Sequence, residues 1–445
     1  MNKTIRGDAT IPSDFPKVEA VEFLICDPGG ILRGKWGPAG SLEKAYEDGI
    51  AFPLSLHGLD AWGREVPATG LHIESGDLDG IARPYAPPRV APWTPRPTAI
   101  VPLQMFDERG GPFACDPRQA LARLTEEAAA KGLHPVAALE LEFHLVRPGT
   151  VPPEPVGQGL RGAAPGEVAW QAMYEHDRLG QLGPLWEDIR VAAEACGVPI
   201  DTIVNEAGPG QFEINLGHGP ALEAADDAVM LRHLVRECAR KHDLLATFMA
   251  KPFAGEAGNG CHVHMSLCDG GGANVFGRDR AVLRHAIAGL IEHMPASMLG
   301  LVNSWNGFRR FRPGSYAPTR AVWGENNRSV AVRVPVSGER DARFEHRIAG
   351  ADACPYVVMA LILAAALDGI EAKREPPPAA TGNAYEGDAA VLNADPVVAL
   401  AAHAGSDFVR RALGDRFAAN LHAILAQEFA TLAEVIPPME HETYL

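Results

Sequence analysis

The alternation of acidic and apolar residues in the segment AALELEFHLV, residues 137–146, most constrains the fold of this chain. Successive side chains of a β-strand point to opposite faces of its sheet, so Glu140 and Glu142 share one face while Leu139 and Leu141 share the other. Two neighbouring carboxylates raise each other's pKa unless water or a cation separates them. The segment alone is typical of a strand whose polar face meets solvent, and the rest of the chain decides whether a cation is expected instead.

Four further segments place ionic side chains on one strand face and apolar side chains on the other. These segments and their polar residues are GQFEINL with Gln211, Glu213 and Asn215, CHVHMSL with His262, His264 and Ser266, RFEHR with Arg343, Glu345 and Arg347, and RSVAVRV with Arg328 and Arg333. Glu206 precedes the first of them in the sequence NEAGPG. Each segment alone fits the wet side of an amphipathic strand, but all of them together predict one curved sheet whose ionic faces line a cavity.

The predicted cavity combines carboxylates, imidazoles and guanidiniums. Repulsion among several carboxylates requires a compensating cation, and oxygen ligands with one or two imidazoles suit Mg²⁺ or Mn²⁺. The planar guanidinium fork fits phosphate or carboxylate, and metal ions beside several arginines are typical of phosphoryl transfer. The sequence has no GxxxxGKS/T loop and no GxGxxG after a strand, so ATP would not be held by a P-loop or a Rossmann turn.

Local sequence signals divide the 445 residues into three predicted parts. Residues 1–17 lack the apolar core of a signal peptide and are predicted to form a disordered lead. Residues 18–110 are predicted to form a small β-rich domain that starts with a hairpin. Residues 111–445 are predicted to form a larger domain whose first helix is capped by Asp116. Further helices are predicted at about 173–196, 221–242, 279–295, 354–372 and 396–434.

Charge, hydropathy and cysteine spacing exclude several classes of protein. The formal net charge of -16 argues against a nucleic-acid backbone or an anionic membrane as partner. The longest apolar run, within residues 354–370, has about 14 uninterrupted apolar residues and is too short to span a bilayer. Seven cysteines without a CxxC pair predict neither a disulfide framework nor a zinc site, so a cytoplasmic location is expected.

In their order and spacing, six segments resemble those of glutamine synthetases, and in particular the bacterial branch of γ-glutamylpolyamine and γ-glutamylmonoamine synthetases. The segments are ELEF (140–143), GQFEINL (210–216), KPFAGEAGNGCHVHMSL (251–267), NSWNGFRRFRPG (303–314), NNRSVAVRVP (326–335) and RFEHRIAGADACPY (343–356). The resemblance covers nearly the whole chain from about residue 18. Six ordered motifs are specific, although any one alone would be weak evidence.

The resemblance implies an α+β fold with a small N-terminal β-grasp domain and a large C-terminal catalytic domain. In that family, a curved antiparallel sheet forms a funnel with flanking helices, and two stacked hexameric rings form a dodecamer with each active site between neighbouring subunits. ATP phosphorylates the γ-carboxylate of glutamate, and an amine then displaces the phosphate. The implied substrates are therefore glutamate, ATP and an amine, with two or three Mg²⁺ or Mn²⁺ ions in each site.

The resemblance also assigns roles to individual positions. Glu142, Glu206 and Glu213 match the ligands of one metal ion, and Glu140, His262 and Glu345 match those of a second. The positions that hold glutamate are matched by Gly258, Arg310 and Arg347. Arg328 and Arg333 match residues that grip the transferring phosphate. The nucleotide side is matched by His264, Ser266, Arg333, Arg340 and Arg343.

Three departures from ammonia-using members concern the nucleophile. Where those members carry a glutamate before an Ala-Pro, this chain has Tyr316 in GSYAP, which makes Tyr316 the candidate for the amine site. The segment AFPLSLHGLDAWG lacks their Asp-Gly-Ser-Ser stretch, and Ala257 replaces an asparagine that contacts glutamate. Loss of both acidic groups favours an organic amine over ammonia.

Three functions are compatible with the sequence. The first is an ATP-dependent glutamate–amine ligase, the second is an ammonia-dependent glutamine synthetase, and the third is an inactive homologue that acts as a sensor or structural assembly. Retention of mutually repelling carboxylates at the metal positions argues against the third. The aromatic candidates for the mouth of the amine site are His57, Trp62, Trp305 and Trp323, each of which also fits ordinary packing.

Overall fold

The computed structural model describes residues 9–156 and 173–445. Two β-sheets, one of six strands and one of ten, pack together with helices in this part of the chain. The predicted α+β fold is therefore confirmed. Residues 1–8 of the predicted lead lie outside the described residues. Residues 9–17 form no helix or strand, yet Ile11 and Phe15 pack against the core, so this part of the lead does not extend away from the protein.

The N-terminal sheet has the strand arrangement of a β-grasp domain. Its strands are β1 Ala20–Cys26, β2 Leu32–Pro38, β3 Ile50–Pro53, β4 Asp79–Pro84, β5 Arg89–Val90 and β6 Thr98–Phe106. The order is β2-β1-β6-β4-β3, with β5 paired to β6. The central strands β1 and β6 are parallel, and β1 and β2 form the predicted hairpin. Gly30 has a φ of 81° in the hairpin turn, a conformation that glycine adopts without strain.

The C-terminal sheet carries the segments that the sequence placed around a cavity. Its strands are β7 His134–Arg147, β8 Glu154–Pro155, β9 Ile200–Asn205, β10 Gln211–Leu216, β11 Gly219–Pro220, β12 Leu245–Thr247, β13 Cys261–Cys268, β14 Trp323–Glu325, β15 Val332–Val334 and β16 Phe344–His346. The order is β14-β15-β16-β13-β7-β10-β9, and β8, β11 and β12 also pair with β7. All pairs are antiparallel, as predicted, except the parallel pair β14 and β15.

Twelve α-helices lie in the described chain. They are α1 Ser41–Glu47, α2 Pro117–Ala130, α3 His176–Gln181, α4 Gly183–Cys196, α5 Ala221–Lys241, α6 Val275–Arg278, α7 Arg280–Leu301, α8 Pro355–Glu371, α9 Pro396–Ala404, α10 Asp407–Leu413, α11 Asp415–Ala433 and α12 Pro438–Tyr444. Several of them, including α2 and α5, pack against the C-terminal sheet. Asp116 caps α2 as predicted, because its carboxylate accepts hydrogen bonds from the backbone N–H groups of Arg118 and Gln119. None of the described helices combines the length and the apolar character that a membrane span needs.

Two of the predicted helices are divided in the structure. The stretch 173–196 forms α3 and α4, which are separated at Leu182. The stretch 396–434 forms three helices, and Gly414, whose φ is 88°, separates the last two. A residue with positive φ cannot continue a right-handed helix, so the helix ends at Gly414. The hydrophobic periodicity of the sequence runs on across this break, which is why a single helix was predicted.

Packing explains which face of β7 is free to line a cavity. The side chains of Leu139, Leu141 and Phe143 are buried and belong to one apolar cluster with the buried side chains of α5. The alternating glutamates of β7 therefore point away from this cluster. The same cluster continues into the N-terminal sheet, and the predicted division at residue 110 lies between the last strand of that sheet and α2.

Candidate active site

Strand register brings the predicted ionic residues into one row across the C-terminal sheet. Glu142 of β7 lies opposite Glu213 of β10. On the other side of β7, Glu140 lies opposite His262 of β13. The row continues to β16, where Glu345 lies opposite His264 of β13, and it ends at Arg333 of β15. Residues separated by two hundred positions in the sequence thus share one face of neighbouring strands, as the alternation predicted.

Two cavities meet along this row. The first cavity has a volume of about 510 Å³ and is lined by eleven of the predicted site residues, which are Glu140, Glu142, Glu206, Glu213, Gly258, His262, Arg310, Tyr316, Arg328, Arg333 and Arg347. The second cavity has a volume of about 400 Å³ and is lined by the predicted nucleotide residues His264, Ser266, Arg340 and Arg343. Glu140 lines both cavities, so it lies where the two compartments adjoin.

Glu140 is held by two imidazoles. Its Oε2 lies 3.1 Å from Nδ1 of His262, and its Oε1 lies 2.8 Å from Nε2 of His264. Burial opposes ionisation of Glu140, but the two histidine contacts outweigh burial and lower its pKa. Arg343 donates a hydrogen bond of 3.1 Å from Nε to Nδ1 of His264, which links the nucleotide-side arginine to this carboxylate.

Glu345 is fully buried between two arginines. Arg333 donates a 2.7 Å hydrogen bond to its Oε2, and Arg347 donates to its Oε1. Burial opposes ionisation, but the charge of Arg347, followed by that of His262, lowers the pKa of Glu345 to about 2. Glu345 therefore carries a negative charge at neutral pH, and it fixes the positions of both guanidiniums.

Glu206 and Glu213 have the opposite electrostatic environment. Burial and the nearby charge of Glu142 raise the pKa of Glu206 to about 7 and that of Glu213 to about 9. Such crowding of buried carboxylates is the condition that a divalent cation relieves. The donor set of carboxylate oxygens with imidazole nitrogens also fits Mg²⁺ or Mn²⁺, so the residues present suit such an ion.

Two groups of side chains have ligand atoms close enough to share an ion. In each group these atoms lie within 4.8 Å of one another, and the groups are Glu140, His264 and Glu345, and Glu140, Glu213 and His262. This grouping differs from the predicted division into two ligand sets, because Glu140 contacts both imidazoles and so belongs to both groups. His264, predicted on the nucleotide side, joins the first group.

The side chain of Glu142 is oriented by residues to which the sequence assigned no role in the site. Its Oε2 accepts hydrogen bonds from the backbone N–H of Gly260 at 2.8 Å and from Nε2 of Gln211 at 3.3 Å. The amide of Gln211 also donates to the side chain of Asn259, which in turn contacts Nδ1 of His144 at 2.9 Å. Gln211 lies on the predicted polar face of its strand, so the sequence pattern could have placed it in the site. Asn259 lies in a loop, where strand alternation gives no such prediction.

Gly258 and Arg310 form one wall of the first cavity. The buried guanidinium of Arg310 donates to the backbone carbonyls of Ile348 and Ala349, at 2.9 and 3.0 Å. A Cβ atom at position 258 would lie 2.7 Å from the backbone oxygen of Ala250 and 2.8 Å from Cγ of Arg310, so only glycine fits there. The backbone at 258 can therefore approach a ligand in the cavity closely.

Residues 114–444 match the model of one protein family, which is described as "Glutamine synthetase, catalytic domain". The chain belongs to the glutamine synthetase family. Among curated relatives, gamma-glutamylputrescine synthetase PuuA of Escherichia coli (strain K12) is 38% identical over 441 residues, 97% of this chain and 92% of the relative. Gamma-glutamylethanolamide synthetase GlnA4 of Streptomyces coelicolor is 33% identical over 414 residues, 91% of this chain and 87% of the relative. A solved GmaS/ADP complex has a TM-score of 0.82 at 27% identity and covers 96% of this chain and 97% of that one.

Two exposed tyrosines lie at the first cavity of this glutamine synthetase family member. Tyr174 and Tyr316 both line the first cavity, with exposed fractions of 63% and 64%. Both have left-handed backbone conformations, with φ of 61° and 57°, which a non-glycine residue adopts at a cost and often near functional sites. The partly exposed side chain of Met173 lies beside them. Tyr316 was predicted from the sequence, whereas Tyr174 was not, because no strand pattern surrounds it.

The four other aromatic candidates for the amine site do not line the two cavities. His57 is buried against Phe113, and Trp323 is buried with its indole N–H bound to a backbone carbonyl. Trp305 packs edge-on against an aromatic ring of α11, and the ring of Trp62 stacks with an arginine. Within this subunit, His57, Trp305 and Trp323 are therefore packing residues, whereas Trp62 is half exposed and lines neither cavity.

Proposed function

We propose that this chain is an ATP-dependent ligase that joins the γ-carboxylate of glutamate to an organic amine and releases ADP and phosphate. The observation that carries the proposal is the first cavity, in which the row of carboxylates, imidazoles and arginines faces Tyr316 and Tyr174. Among the described residues that line this cavity, the only carboxylates are those of Glu140, Glu142, Glu206 and Glu213. The described residues of this subunit thus supply no further acid there to bind ammonium.

The relatives support the choice of an amine over ammonia. The names of PuuA and GlnA4 describe synthetases of γ-glutamyl derivatives of putrescine and ethanolamine. Ammonia-dependent glutamine synthesis remains the alternative. We also propose a cytoplasmic location and, from the family resemblance, a dodecamer of two hexameric rings.

In the proposed reaction, the carboxylates and imidazoles of the row would hold Mg²⁺ or Mn²⁺. Bound there, the metal ions would supply positive charge to the phosphate oxygens during transfer. His264, Ser266, Arg340 and Arg343 line the compartment that we assign to the nucleotide. Glu140 separates this compartment from the first cavity, so the γ-phosphate would arrive at the row of ionic residues.

Arginines of the first cavity would bind glutamate and the transferring phosphoryl group. Arg310 and Arg347, which line the first cavity with Gly258, would bind the glutamate carboxylates. Arg328 and Arg333, which also line this cavity, would stabilise the charge on the phosphoryl group as it moves from ATP to the γ-carboxylate. The amine nitrogen then attacks the γ-carbonyl carbon of γ-glutamyl phosphate, the C–O bond to phosphate breaks, and the nitrogen loses a proton.

The proposal is tested by measuring ADP release with glutamate, ATP and a panel of nucleophiles. We expect kcat/KM for at least one of putrescine, ethanolamine, butylamine or isopropylamine to exceed that for ammonia by roughly 100-fold or more. The control is the reaction without glutamate, which reports ATP hydrolysis alone. Activity with ammonia and none with any amine would instead identify a glutamine synthetase, and no ADP release with any nucleophile would favour the inactive homologue.

Tyr316 is expected to bind the amine rather than glutamate or ATP. Replacing it with alanine removes an exposed aromatic face beside the cavity, and the loss of contact with an alkylammonium should raise KM for the amine about tenfold. The KM values of glutamate and ATP should change little. The control is Tyr444→Ala, which removes another exposed tyrosine in α12, outside both cavities. An unchanged amine KM in Tyr316→Ala would remove Tyr316 from the amine site.

A further inference from the structure

A network of buried amide and imidazole side chains adjoins Glu142. Its members are His144, Gln211 and Asn259, with exposed fractions of 0%, 1% and 0%. Gln211 lines the first cavity, whereas His144 and Asn259 line neither the first nor the second. The proposed reaction assigns no role to these three residues. Buried polar side chains cost free energy unless they are hydrogen-bonded, so the partners of the network indicate what it holds in place.

Backbone partners fix the direction of the hydrogen bonds in this network. Oε1 of Gln211 accepts from the backbone N–H of Gly208 at 2.9 Å, so Nε2 of Gln211 is directed to the other members. Nδ2 of Asn259 donates to the carbonyl of Met249 at 2.8 Å, so Oδ1 of Asn259 remains as the acceptor. That oxygen lies 3.1 Å from Nε2 of Gln211 and 2.9 Å from Nδ1 of His144. Because a carboxamide oxygen carries no proton, Nδ1 of His144 is the donor.

The network supports the metal side of the site through Gln211. Nε2 of Gln211 donates to Oε2 of Glu142 at 3.3 Å as well as to Asn259. Glu142 also accepts a hydrogen bond of 2.8 Å from the backbone N–H of Gly260, which directly follows Asn259 in the chain. A displaced Asn259 side chain would therefore disturb both donors to this carboxylate. Residues that orient a metal-binding carboxylate commonly affect metal affinity although they do not contact the ion.

The network also supports the glutamate side of the site, through the loop of residues 250–259. The backbone N–H of Asn259 donates to the carbonyl of Ala250 at 2.8 Å, so Asn259 closes the loop. The carbonyl of Gly258 accepts a hydrogen bond of 3.0 Å from Nε2 of Gln211. The backbone that would contact glutamate is thus held by the same amide that directs the metal ligand.

We propose that His144 and Asn259 are positioning residues that hold Glu142 and the 250–259 loop in fixed positions relative to each other. This inference rests on the proposed function and deepens it. The imidazole of His144 anchors the oxygen of Asn259, and its ring packs edge-on against Phe253 of the loop, with the centroids 5.4 Å apart. Nε2 of His144 is buried without a hydrogen-bond partner among the described residues, so the donor at Nδ1 carries the polar contact of the ring.

The proposal is tested by two substitutions at position 144 of the full-length protein. His144→Leu is similar in size but has no donor, whereas His144→Asn places an amide N–H near the position of Nδ1. We expect His144→Leu to weaken Mn²⁺ binding about tenfold, measured by electron paramagnetic resonance. Glutamate binding to the Mn²⁺-loaded protein, measured by isothermal titration calorimetry, should also weaken about tenfold. In His144→Asn both affinities should stay within about threefold of those of the unmodified protein.

His403→Leu is the matched control for the loss of a buried imidazole. His403 is buried in α9 outside both cavities, and its Nε2 lies 3.1 Å from the carbonyl oxygen of Ala418. This control should leave both affinities unchanged, and its melting temperature reports the general cost of the substitution. Asn259→Ala is a second test should His144→Leu fail to fold, and it should weaken both affinities. Unchanged affinities in either folded variant, or equal losses in His144→Leu and His144→Asn, would overturn the proposal.

The two affinities separate this inference from the proposed function. A protein that binds Mn²⁺ and glutamate but releases no ADP with any amine would refute the ligase assignment, while the variants at position 144 would still decide the role of the network. Ligase activity in the unmodified protein, with unchanged affinities in His144→Leu and Asn259→Ala, would refute the positioning role alone.

Discussion

Replacing Glu345 with glutamine is expected to lower kcat by about 10²–10³-fold while the protein remains folded. Glutamine keeps the size of the side chain but removes the charge that now lies between Arg333 and Arg347. The variant would therefore release both guanidiniums and remove a ligand from the group that also contains Glu140 and His264. Both losses weaken the stabilisation of charge on the transferring phosphoryl group.

The measurement is ADP release at saturating glutamate, ATP and amine, together with Mn²⁺ affinity measured by electron paramagnetic resonance. Mn²⁺ binding should weaken along with turnover, which a purely structural defect located elsewhere would not produce. Glu325→Gln is the matched control, because Glu325 is an exposed glutamate on β14 of the same sheet. Turnover within about twofold of the unmodified enzyme in Glu345→Gln would show that this carboxylate has no role in the reaction.

The row of ionic residues was predictable from the sequence because strand alternation encodes it directly. Glu140 and Glu142 fall on the face opposite Leu139 and Leu141, and the buried apolar cluster fixes which face remains free. A one-residue shift of a strand would exchange its two faces, so burial of the apolar face also determines where the acids point. No signal within a single strand predicts that β7 pairs with β10 and β13. That pairing was inferred because all three strands carry ionic or polar side chains on one face.

Features that depend on backbone conformation or on loops were not predictable in this way. The left-handed conformation of Tyr174 has no signal in a single sequence, since tyrosine rarely adopts positive φ. Asn259 links His144 to Gln211 through contacts that only the folded chain creates. The division of the last predicted helix at Gly414 follows from one φ angle, which hydrophobic periodicity does not report.

Arg328→Ala should lower kcat roughly 10³-fold and leave KM for glutamate nearly unchanged. Arg328 is exposed at a turn that lines the first cavity, and it forms no ion pair with a described residue, so its guanidinium is available to a substrate. The turn itself is anchored, because Asn327 donates to the carbonyl of Gly382 at 2.9 Å and accepts a hydrogen bond from the N–H of Ser329. The backbone that carries Arg328 is thus fixed beside the cavity, where its guanidinium can reach charge that develops during transfer.

The steady-state parameters for glutamate, ATP and amine would be compared with those of Arg309→Ala, the control, which removes an exposed arginine that lines neither cavity. A fall in kcat alone means that Arg328 interacts with the transition state more strongly than with bound substrate. A rise in KM for glutamate with normal kcat would make Arg328 a ground-state binding residue. The stabilisation of phosphoryl transfer would then have to come from Arg333, whose guanidinium is held in position by its hydrogen bond to Glu345.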